Sequence, residues 1–364
     1  MKKLKVALLF GGKSGEHEVS LLSAASVLKA IDKARYDVTL IGIGKDGHWL
    51  LGPDAKALLG GAGGASRKLL GTSTALAQNP AAALKVDVVF PVLHGTFGED
   101  GTIQGLFELA DIAYVGSGVL GSSAGMDKDA AKRLFTAAKL PIPMHVTLLR
   151  SEWRENPKRC TKLIESKLKY PVFVKPANMG SSVGISKVHN RAEVEAAMNL
   201  AAEFDRKIVV EQGIGGKRGR ARELEVAVLG NDAPQASVVG EIVPGKEFYD
   251  YEDKYLSAGS VPIIPAKITK AESKSLREMA VAAFKACECA GLARVDFLME
   301  PARKGRAARI YLNEINTMPG FTAISMYPKL WAASGVPYVK LIDRLIELAL
   351  ERHAEKQQTQ FSRD

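Results

Sequence analysis

The sequence predicts an α/β protein whose N-terminal part is a doubly wound domain, and three observations support this prediction. Residues 4–10 form an apolar run typical of a buried strand, a glycine-rich turn follows at 11–15, and residues 19–28 have helical spacing. Residues 38–43 and 86–91 are further strand-like runs. The order strand, loop, helix, strand is how doubly wound domains begin.

The rest of the chain continues the α/β pattern and predicts three parts, 1–125, 126–215 and 216–364. Residues 52–83 are rich in Gly and Ala and predict a surface loop with short helices, and Pro141 ends a helix at the hinge into the second part. Further strands are predicted at 170–176, 208–211, 224–229, 237–242, 293–298 and 309–312, and further helices at 127–139, 191–203, 270–289 and 338–353.

The composition is that of a soluble globular protein, with 46% apolar and 25% charged residues in 364. No run of about 18 apolar residues predicts a membrane span, and the first strand is too short for a signal segment, so we expect a cytoplasmic protein without membrane contact. Cys160, Cys287 and Cys289 suggest neither a disulfide framework nor a zinc site.

The net charge of +10 raises the alternative of nucleic-acid binding, which the distribution of charge disfavours. Basic residues are dispersed except for the short run Lys217–Arg222, whose glycine suggests a solvated loop. A dinucleotide-binding dehydrogenase is also disfavoured, because the first turn lacks the three-glycine fingerprint. A positive surplus suits a small anionic ligand equally well.

Lys175 ends an apolar strand and is followed by a Gly-Ser loop at 176–184. A lysine beside a buried strand needs an anion to neutralise it, and backbone donors of such a loop can surround phosphates. The order differs from the Walker pattern, in which the lysine follows the glycines. The segment predicts a phosphate lid; an ordinary surface loop with a snorkelling lysine is the alternative.

Three oxygen-bearing side chains are predicted to converge on one sheet face. Glu314 and Asn316 are two residues apart, and so are Arg294 and Asp296, which places each pair on one side of its strand. If the two strands form a hairpin across residues 301–308, Asp296, Glu314 and Asn316 meet. Such donors suit Mg²⁺. A cluster of solvated surface carboxylates is the alternative.

The motifs Lys175-Pro-x-x-x-Gly-Ser-Ser-x-Gly, Arg294-Val-Asp and Asn313-Glu-Ile-Asn-Thr-Met-Pro-Gly resemble those of ATP-grasp ligases. More specific motifs resemble the D-alanine:D-alanine ligase family, and the resemblance extends from residue 4 to about 353. These motifs are His17–Ser20, His94–Gly101, Phe248–Tyr255 and Ser325–Pro328. The resemblance implies an α/β (pre-ATP-grasp) substrate domain at 1–125, followed by an ATP-grasp fold with a central part at 126–215 and a C-terminal part at 216–364 that holds the metal and second-substrate site.

The resemblance also implies roles for individual residues. ATP contacts are implied for Lys128, Lys175, Ser182, Glu211 at the adenine hinge, Glu223 at the ribose, and Lys254. Two Mg²⁺ ions, with Mn²⁺ as an alternative, are implied at Asp296, Glu314 and Asn316. The first D-alanine is implied at Glu16 and His94, the oxyanion at Arg294 and the Gly320 N–H, and the second D-alanine at Ser325 and Met326. Ser181 and Tyr255 are implied to order the lid through Glu16.

The implied reaction joins two D-alanines through an acyl phosphate at the expense of ATP, in a protein expected to be a homodimer. One departure from the family pattern is a longer connection at 215–222, which leaves Glu225 as an alternative to Glu223 at the ribose; we favour Glu223. Two other functions are considered. One is an ATP-grasp ligase with another carboxylate and amine, and the other is an idle nucleotide-binding regulator, which would be expected to lack one metal ligand.

Overall fold

The computed structural model describes residues 2–61, 85–215, 220–243, 260–302, 307–322 and 324–362. It confirms the predicted α/β class. Within these ranges no helix is both long and apolar enough to cross a bilayer.

The strands form three sheets. Their bounds are β1 Leu4–Gly11, β2 Tyr36–Ile43, β3 Trp49–Leu51, β4 Val88–Val92, β5 Ala113–Tyr114, β6 His145–Leu149, β7 Val172–Pro176, β8 Ser186–Val188, β9 Lys207–Gln212, β10 Arg222–Gly230, β11 Gln235–Val243, β12 Val261–Ile263, β13 Gly291–Glu300 and β14 Arg309–Asn316.

The helices cover the sheets. Their bounds are α1 His17–Ala30, α2 Gly52–Leu59, α3 Thr102–Leu109, α4 Val119–Met126, α5 Lys128–Ala137, α6 Arg150–Glu155, α7 Pro157–Lys167, α8 Val194–Phe204, α9 Lys270–Ala286, α10 Met326–Ala333 and α11 Tyr338–Lys356, and a 3-10 turn at Arg191–Glu193 precedes α8.

The first sheet has the order β3-β2-β1-β4-β5 and is parallel except for the edge strand β3. Both faces are buried, as a parallel sheet requires. Val6 and Leu8 point into the core that includes α1, whereas Ala7 and Leu9 share a second core with Phe107 of α3. This arrangement confirms the predicted doubly wound domain.

The second sheet, β6-β9-β7-β8, is antiparallel and is packed by α6, α7 and α8. Asp127 caps α5, which leads into this part of the chain, because its carboxylate accepts the N–H groups of Asp129 and Ala130. The predicted helix at 270–289 ends earlier, at Ala286, because Glu288 has a positive φ of 53°, which a right-handed helix cannot contain; Cys287 and Cys289 pack in the core behind the third sheet.

The third sheet has the order β12-β11-β10-β13-β14, and all its neighbouring strands are antiparallel. The predicted hairpin between β13 and β14 is present, and β14 continues to Asn316, four residues beyond the predicted strand end. A β-bulge interrupts the pairing: Phe297 pairs with Leu312 and Asp296 with Glu314, so Asn313 is the extra residue.

Helix α11 lies in the predicted third part of the chain but packs against the first sheet. Leu341 and Leu345 share a core with Val6 and Leu8 of β1, and the Arg35 guanidinium lies 2.6 Å from the Asp343 carboxylate. The three sheets fall within the three predicted parts, whereas α11 returns to the first. The division at residues 125 and 215 stays a prediction.

Candidate active site

Two adjoining cavities lie where the three sheets meet. The first has a volume of about 260 Å³, and its lining includes Glu16, Lys128, Ser181, Ser182, Arg294, Glu314, Asn316, Gly320, Ser325 and Met326. The second has a volume of about 310 Å³, and its lining includes Lys175, Ser182, Glu211, Glu223, Arg294, Asp296 and Glu314. Most residues singled out from the sequence therefore lie on one connected surface.

The hairpin β13–β14 forms the wall between the cavities. Asp296 is directly opposite Glu314, and Arg294 is opposite Asn316. The Arg294 guanidinium donates two hydrogen bonds of 2.7 Å to the two oxygens of Asp296, and it lies 3.2 Å from Glu225. Arginine thus holds the carboxylate in place on the face that both cavities share.

The oxygen donors of this face fit a hard divalent cation. Two carboxylates and an amide oxygen, from Asp296, Glu314 and Asn316, lie on paired strands beside a cavity open to ligands. The described residues contain no group of three or more His, Cys, Asp and Glu side chains that could hold a metal by themselves. A cation at this set would therefore need oxygens from a bound ligand or water, as Mg²⁺ commonly does.

Glu211 is buried between two lysines at the back of the second cavity. Its Oε2 accepts a 2.8 Å hydrogen bond from Lys175 Nζ, and its Oε1 lies 3.1 Å from Lys132 Nζ. Burial alone would raise the pKa of the Glu211 carboxyl, but the two lysine charges lower it to about 2. The same carboxylate, together with Glu314, raises the pKa of Lys175 against the opposing effect of burial.

Lys132 is a site residue that the sequence interpretation missed. Its side chain is only 1% exposed, and its Nζ also donates to the carbonyl of Asn313, the bulge residue, over 3.3 Å. Burial lowers its pKa. The signal available in the sequence was its spacing, because residues four apart on a helix share a face and Lys132 follows Lys128 by four positions.

The side chain of Glu16 is enclosed by the lid loop and by the loop after β4. Ser181 donates a hydrogen bond to Glu16, a contact that the resemblance implies. Ser181 and Ser182 have positive φ values of 47° and 62°, so the lid turns tightly over the carboxylate. A Cβ at Gly180 would lie 2.4 Å from Glu16 Oε2, and one at Gly95 would lie 2.6 Å from it.

Two side chains of the loop after β4 form hydrogen bonds with the backbone of Met318. His94 contacts the Met318 carbonyl through Nδ1 at 3.0 Å and Ser23 through Nε2 at 3.0 Å, and Glu99 accepts the Met318 N–H over 3.2 Å. His94 is not among the residues that line the first cavity, whereas Glu99, which the interpretation left unassigned, is. Burial lowers the pKa of His94. Its implied substrate contact stays a prediction.

The remaining implied residues lie where a ligand could reach them. Lys128 Nζ donates to the carbonyl of Met179 in the lid over 2.7 Å. Ser325 precedes α10 and accepts the N–H of Thr322 over 2.9 Å, and it lies close enough to Gly320 that a Cβ there would be 2.8 Å from its oxygen.

Three residues that the resemblance places at the nucleotide or the lid remain, namely Glu223, Lys254 and Tyr255. Both candidates for the ribose contact line the second cavity and lie beside an arginine, Glu223 beside Arg220 at 3.4 Å and Glu225 beside Arg294 at 3.2 Å, so the choice of Glu223 stays a prediction. Lys254 and Tyr255 lie outside the described residues.

Comparison with known proteins shows similarity along most of the chain. Residues 5–117 match the family model for the D-ala D-ala ligase N-terminus, and residues 134–347 match the model for its C-terminus. A D-alanine–D-alanine ligase of Solibacter usitatus is 48% identical over 99% of this chain and 100% of its own length. One of Chloroherpeton thalassium is 50% identical, covering 98% and 99%.

Solved structures give the same picture of the fold. The D-alanine-D-alanine ligase from Coxiella burnetii superposes with a TM-score of 0.78 at 34% identity, covering 98% of this chain and 97% of that one. The VanG D-Ala:D-Ser ligase from Enterococcus faecalis superposes with a TM-score of 0.80 at 38% identity, covering 96% and 100%. The ATP-grasp fold with an N-terminal α/β domain is thus confirmed, and the chain belongs to the D-alanine–D-alanine ligase family.

Proposed function

We propose that this protein joins two molecules of D-alanine into D-alanyl-D-alanine at the expense of ATP, as a step in the synthesis of peptidoglycan precursors. The observation that carries the proposal is the face formed by Asp296, Glu314 and Asn316, which lies between two cavities of a chain that matches this ligase family from end to end. An idle regulator would have no need of this intact set.

ATP occupies the second cavity in this proposal. Lys175 and Lys128 contact phosphates, Ser182 and the lid cover them, Glu211 belongs to the adenine hinge, and Glu223 binds the ribose. Support comes from the buried pair of Lys175 and Glu211 in the lining of this cavity, which fixes the ammonium group of Lys175 where a phosphate can reach it. Lys254 and Tyr255 are proposed to act from the loop that closes over the site.

Asp296, Glu314 and Asn316 are the residues that would hold the divalent cations, which we propose to be two Mg²⁺ ions, with Mn²⁺ as an alternative. Such ions, when bound, neutralise charge on a transferring phosphoryl group. The support is the donor chemistry, because carboxylate and amide oxygens suit these hard cations.

The first step transfers the γ-phosphoryl group of ATP to the carboxylate of the first D-alanine and gives an acyl phosphate and ADP. Glu16, which is enclosed by the lid, receives the ammonium group of this D-alanine, and His94 supports the neighbouring loop. Positioning supplies most of the acceleration in a transfer of this kind. The lid over Glu16 excludes water that would hydrolyse the acyl phosphate.

The second step is attack of the amine of the second D-alanine on the acyl carbon. Ser325 and the Met326 N–H bind the carboxylate of this amino acid, while Arg294 and the Gly320 N–H stabilise the oxyanion. The closeness of Gly320 to Ser325 supports this arrangement. The amine that attacks the acyl carbon is only one carbon away from the carboxylate of the same amino acid, so the sites for the oxyanion and for that carboxylate must be close together. The protein itself forms no covalent bond to the substrate.

The proposal is tested by measuring ADP release with D-alanine, L-alanine, D-serine and D-lactate compared in parallel, with the product identified by mass spectrometry. We expect D-alanine alone to support turnover and D-alanyl-D-alanine to be the product. Preference for D-serine or D-lactate as the second substrate would refute the proposed specificity. Release of ADP with unrelated acid and amine pairs only would refute the function.

We further propose that the protein acts as a homodimer in the cytoplasm, where ATP and free amino acids are available, and that it contacts neither membrane nor nucleic acid. Sedimentation of the purified protein would test the dimer.

A further inference from the structure

The second step of the proposed reaction leaves a proton unaccounted for. Free D-alanine carries an ammonium group, which has no lone pair, so one proton must leave the nitrogen before it attacks the acyl carbon. This inference therefore rests on the proposed function. A general base for such a transfer must lie within hydrogen-bond reach of the nitrogen and have a pKa near the working pH.

The carboxylates lining the first cavity can be compared one by one. Glu16 accepts the Ser181 hydroxyl and is assigned to the first amino acid, Glu225 lies beside the Arg294 guanidinium, and Glu314 belongs to the proposed cation site. Glu99 is the remaining one, and within the described part of the chain it forms no salt bridge.

Glu99 is fixed by the protein backbone. It is 5% exposed; Oε1 accepts the Gly95 N–H over 2.8 Å and Oε2 accepts the Met318 N–H over 3.2 Å. Each carboxylate oxygen has a second lone pair, so either can accept another proton. Because Met318 is two residues before Gly320, the carboxylate is tied to the loop that carries the proposed oxyanion donor.

We propose that Glu99 accepts the proton from the ammonium group of the second D-alanine. The placement follows from the substrates. With the carboxylate of the second D-alanine at Ser325 and the acyl oxygen of the first at Gly320, we infer that the nitrogen on the α-carbon of the second D-alanine lies toward the part of the cavity wall that contains Glu99. Lys128 and Lys329, which also line the cavity, are cations and repel an ammonium group.

An N–H bond of the ammonium breaks, an O–H bond forms on Glu99, and the freed lone pair attacks the acyl carbon. As the tetrahedral intermediate collapses, the C–O bond to phosphate breaks, its electron pair leaves with phosphate, and phosphate takes the second proton from nitrogen. Glu99 returns its proton to water after product release.

The charges around Glu99 are consistent with this role. Burial raises the pKa of its carboxyl to about 8 and the Glu16 carboxylate adds to the rise, whereas the hydrogen bonds from the Gly95 and Met318 N–H groups, and less strongly the Arg294 guanidinium, counteract it. An arriving ammonium group would lower that raised pKa toward neutral pH and favour the ionised form of Glu99, which is the form that accepts the proton.

The experiment separates proton removal from positioning by changing the attacking nucleophile. Hydroxylamine is neutral at neutral pH and traps the acyl phosphate without needing a base. In Glu99→Gln we expect dipeptide formation to fall about 100-fold or more, the usual contribution of a general base, while D-alanine hydroxamate formation with ATP stays at the wild-type rate. The matched control is Asp100→Asn in the same loop, whose carboxylate caps Phe97 and Thr102.

Equal losses of hydroxamate and dipeptide in Glu99→Gln would assign Glu99 to positioning and overturn the proposal, as would unchanged dipeptide formation. If this variant does not fold, Glu99→Asp is measured, and there a larger loss of dipeptide than of hydroxamate is expected; equal losses again overturn the proposal. A wild-type protein that makes neither product would instead refute the proposed function.

Discussion

Asp296 lies directly opposite Glu314 on neighbouring antiparallel strands, and both oxygens of Asp296 accept hydrogen bonds of 2.7 Å from Arg294. Strand pairing alone therefore brings the two carboxylates together. Arg294 neutralises part of their charge, which reduces the repulsion between the two carboxylates.

Asp296→Ala or Glu314→Ala should leave the fold intact and abolish turnover. The hairpin is held by backbone hydrogen bonds, whereas the divalent cations that neutralise charge on the transferring phosphoryl group would lose a ligand. Thermal unfolding and ADP release measure the two effects. Glu300→Ala, on the same strand but outside both cavity linings, is the control and should keep activity. Dipeptide synthesis in either cavity variant would contradict the assignment.

Strand periodicity was enough to predict that Asp296, Glu314 and Asn316 lie on one face of the hairpin, because side chains two apart on a strand point the same way. It could not predict the bulge at Asn313, which shifts the register by one residue. Without it, continuing the Phe297–Leu312 register would place Asn313 opposite Asp296. The bulge residue also has a distant partner that no local pattern reveals, because Lys132, 181 positions away, donates to the Asn313 carbonyl.

Long-range contacts also explain the other omissions. Glu99 and Met318 are 219 positions apart, and no local pattern links them. Helix α11 was predicted from its periodicity at nearly its full length, but its position against the first sheet depends on tertiary packing. Short strands such as β3 and β5 were missed because two or three residues carry too little periodicity to be recognised.

Lys132→Met should destabilise the protein by about 3 kcal/mol, because it leaves the buried Glu211 with one cation instead of two. It should also raise the KM for ATP more than it lowers kcat, since Glu211 would then hold Lys175 more tightly. Urea unfolding and steady-state kinetics measure both effects. Arg133→Met, the next residue of α5 with a largely exposed side chain, is the control.

A double-variant cycle sharpens that prediction. If Lys132 acts through Glu211, Lys132→Met combined with Glu211→Gln should lose less stability than the two single variants added together. Additive losses would show that the two side chains act independently and would contradict the proposed coupling of Lys132 to Glu211.

The pH dependence of stability should report on Glu211. Its folded-state pKa of about 2 lies below the usual 4.5, so its contribution is present above pH 4.5 and is lost as the pH falls toward 2. Relative to Glu211→Gln, the wild-type protein should lose roughly 3 kcal/mol of unfolding free energy across this window. Urea unfolding at several pH values measures the difference, and a constant difference would contradict the assigned ion pairs.

Gly180→Ala tests the enclosure of Glu16 by steric means alone. The added Cβ would lie 2.4 Å from Glu16 Oε2, and Gly180 does not have positive φ, so the lid or the carboxylate must shift while the backbone conformation stays accessible. We expect the KM for D-alanine at the first subsite to rise about tenfold, equivalent to about 1.4 kcal/mol, with little change in the KM for ATP.

Gly105→Ala in α3 is the matched control, since nothing lies within 4 Å of its added Cβ. Removing a helical glycine there should stabilise the protein by about 1 kcal/mol and leave both KM values unchanged. Steady-state kinetics with ATP and D-alanine varied separately distinguish the two variants. If Gly180→Ala raised the KM for ATP instead, the lid would act on the nucleotide rather than through Glu16, and the first-substrate assignment of that carboxylate would lose its structural support.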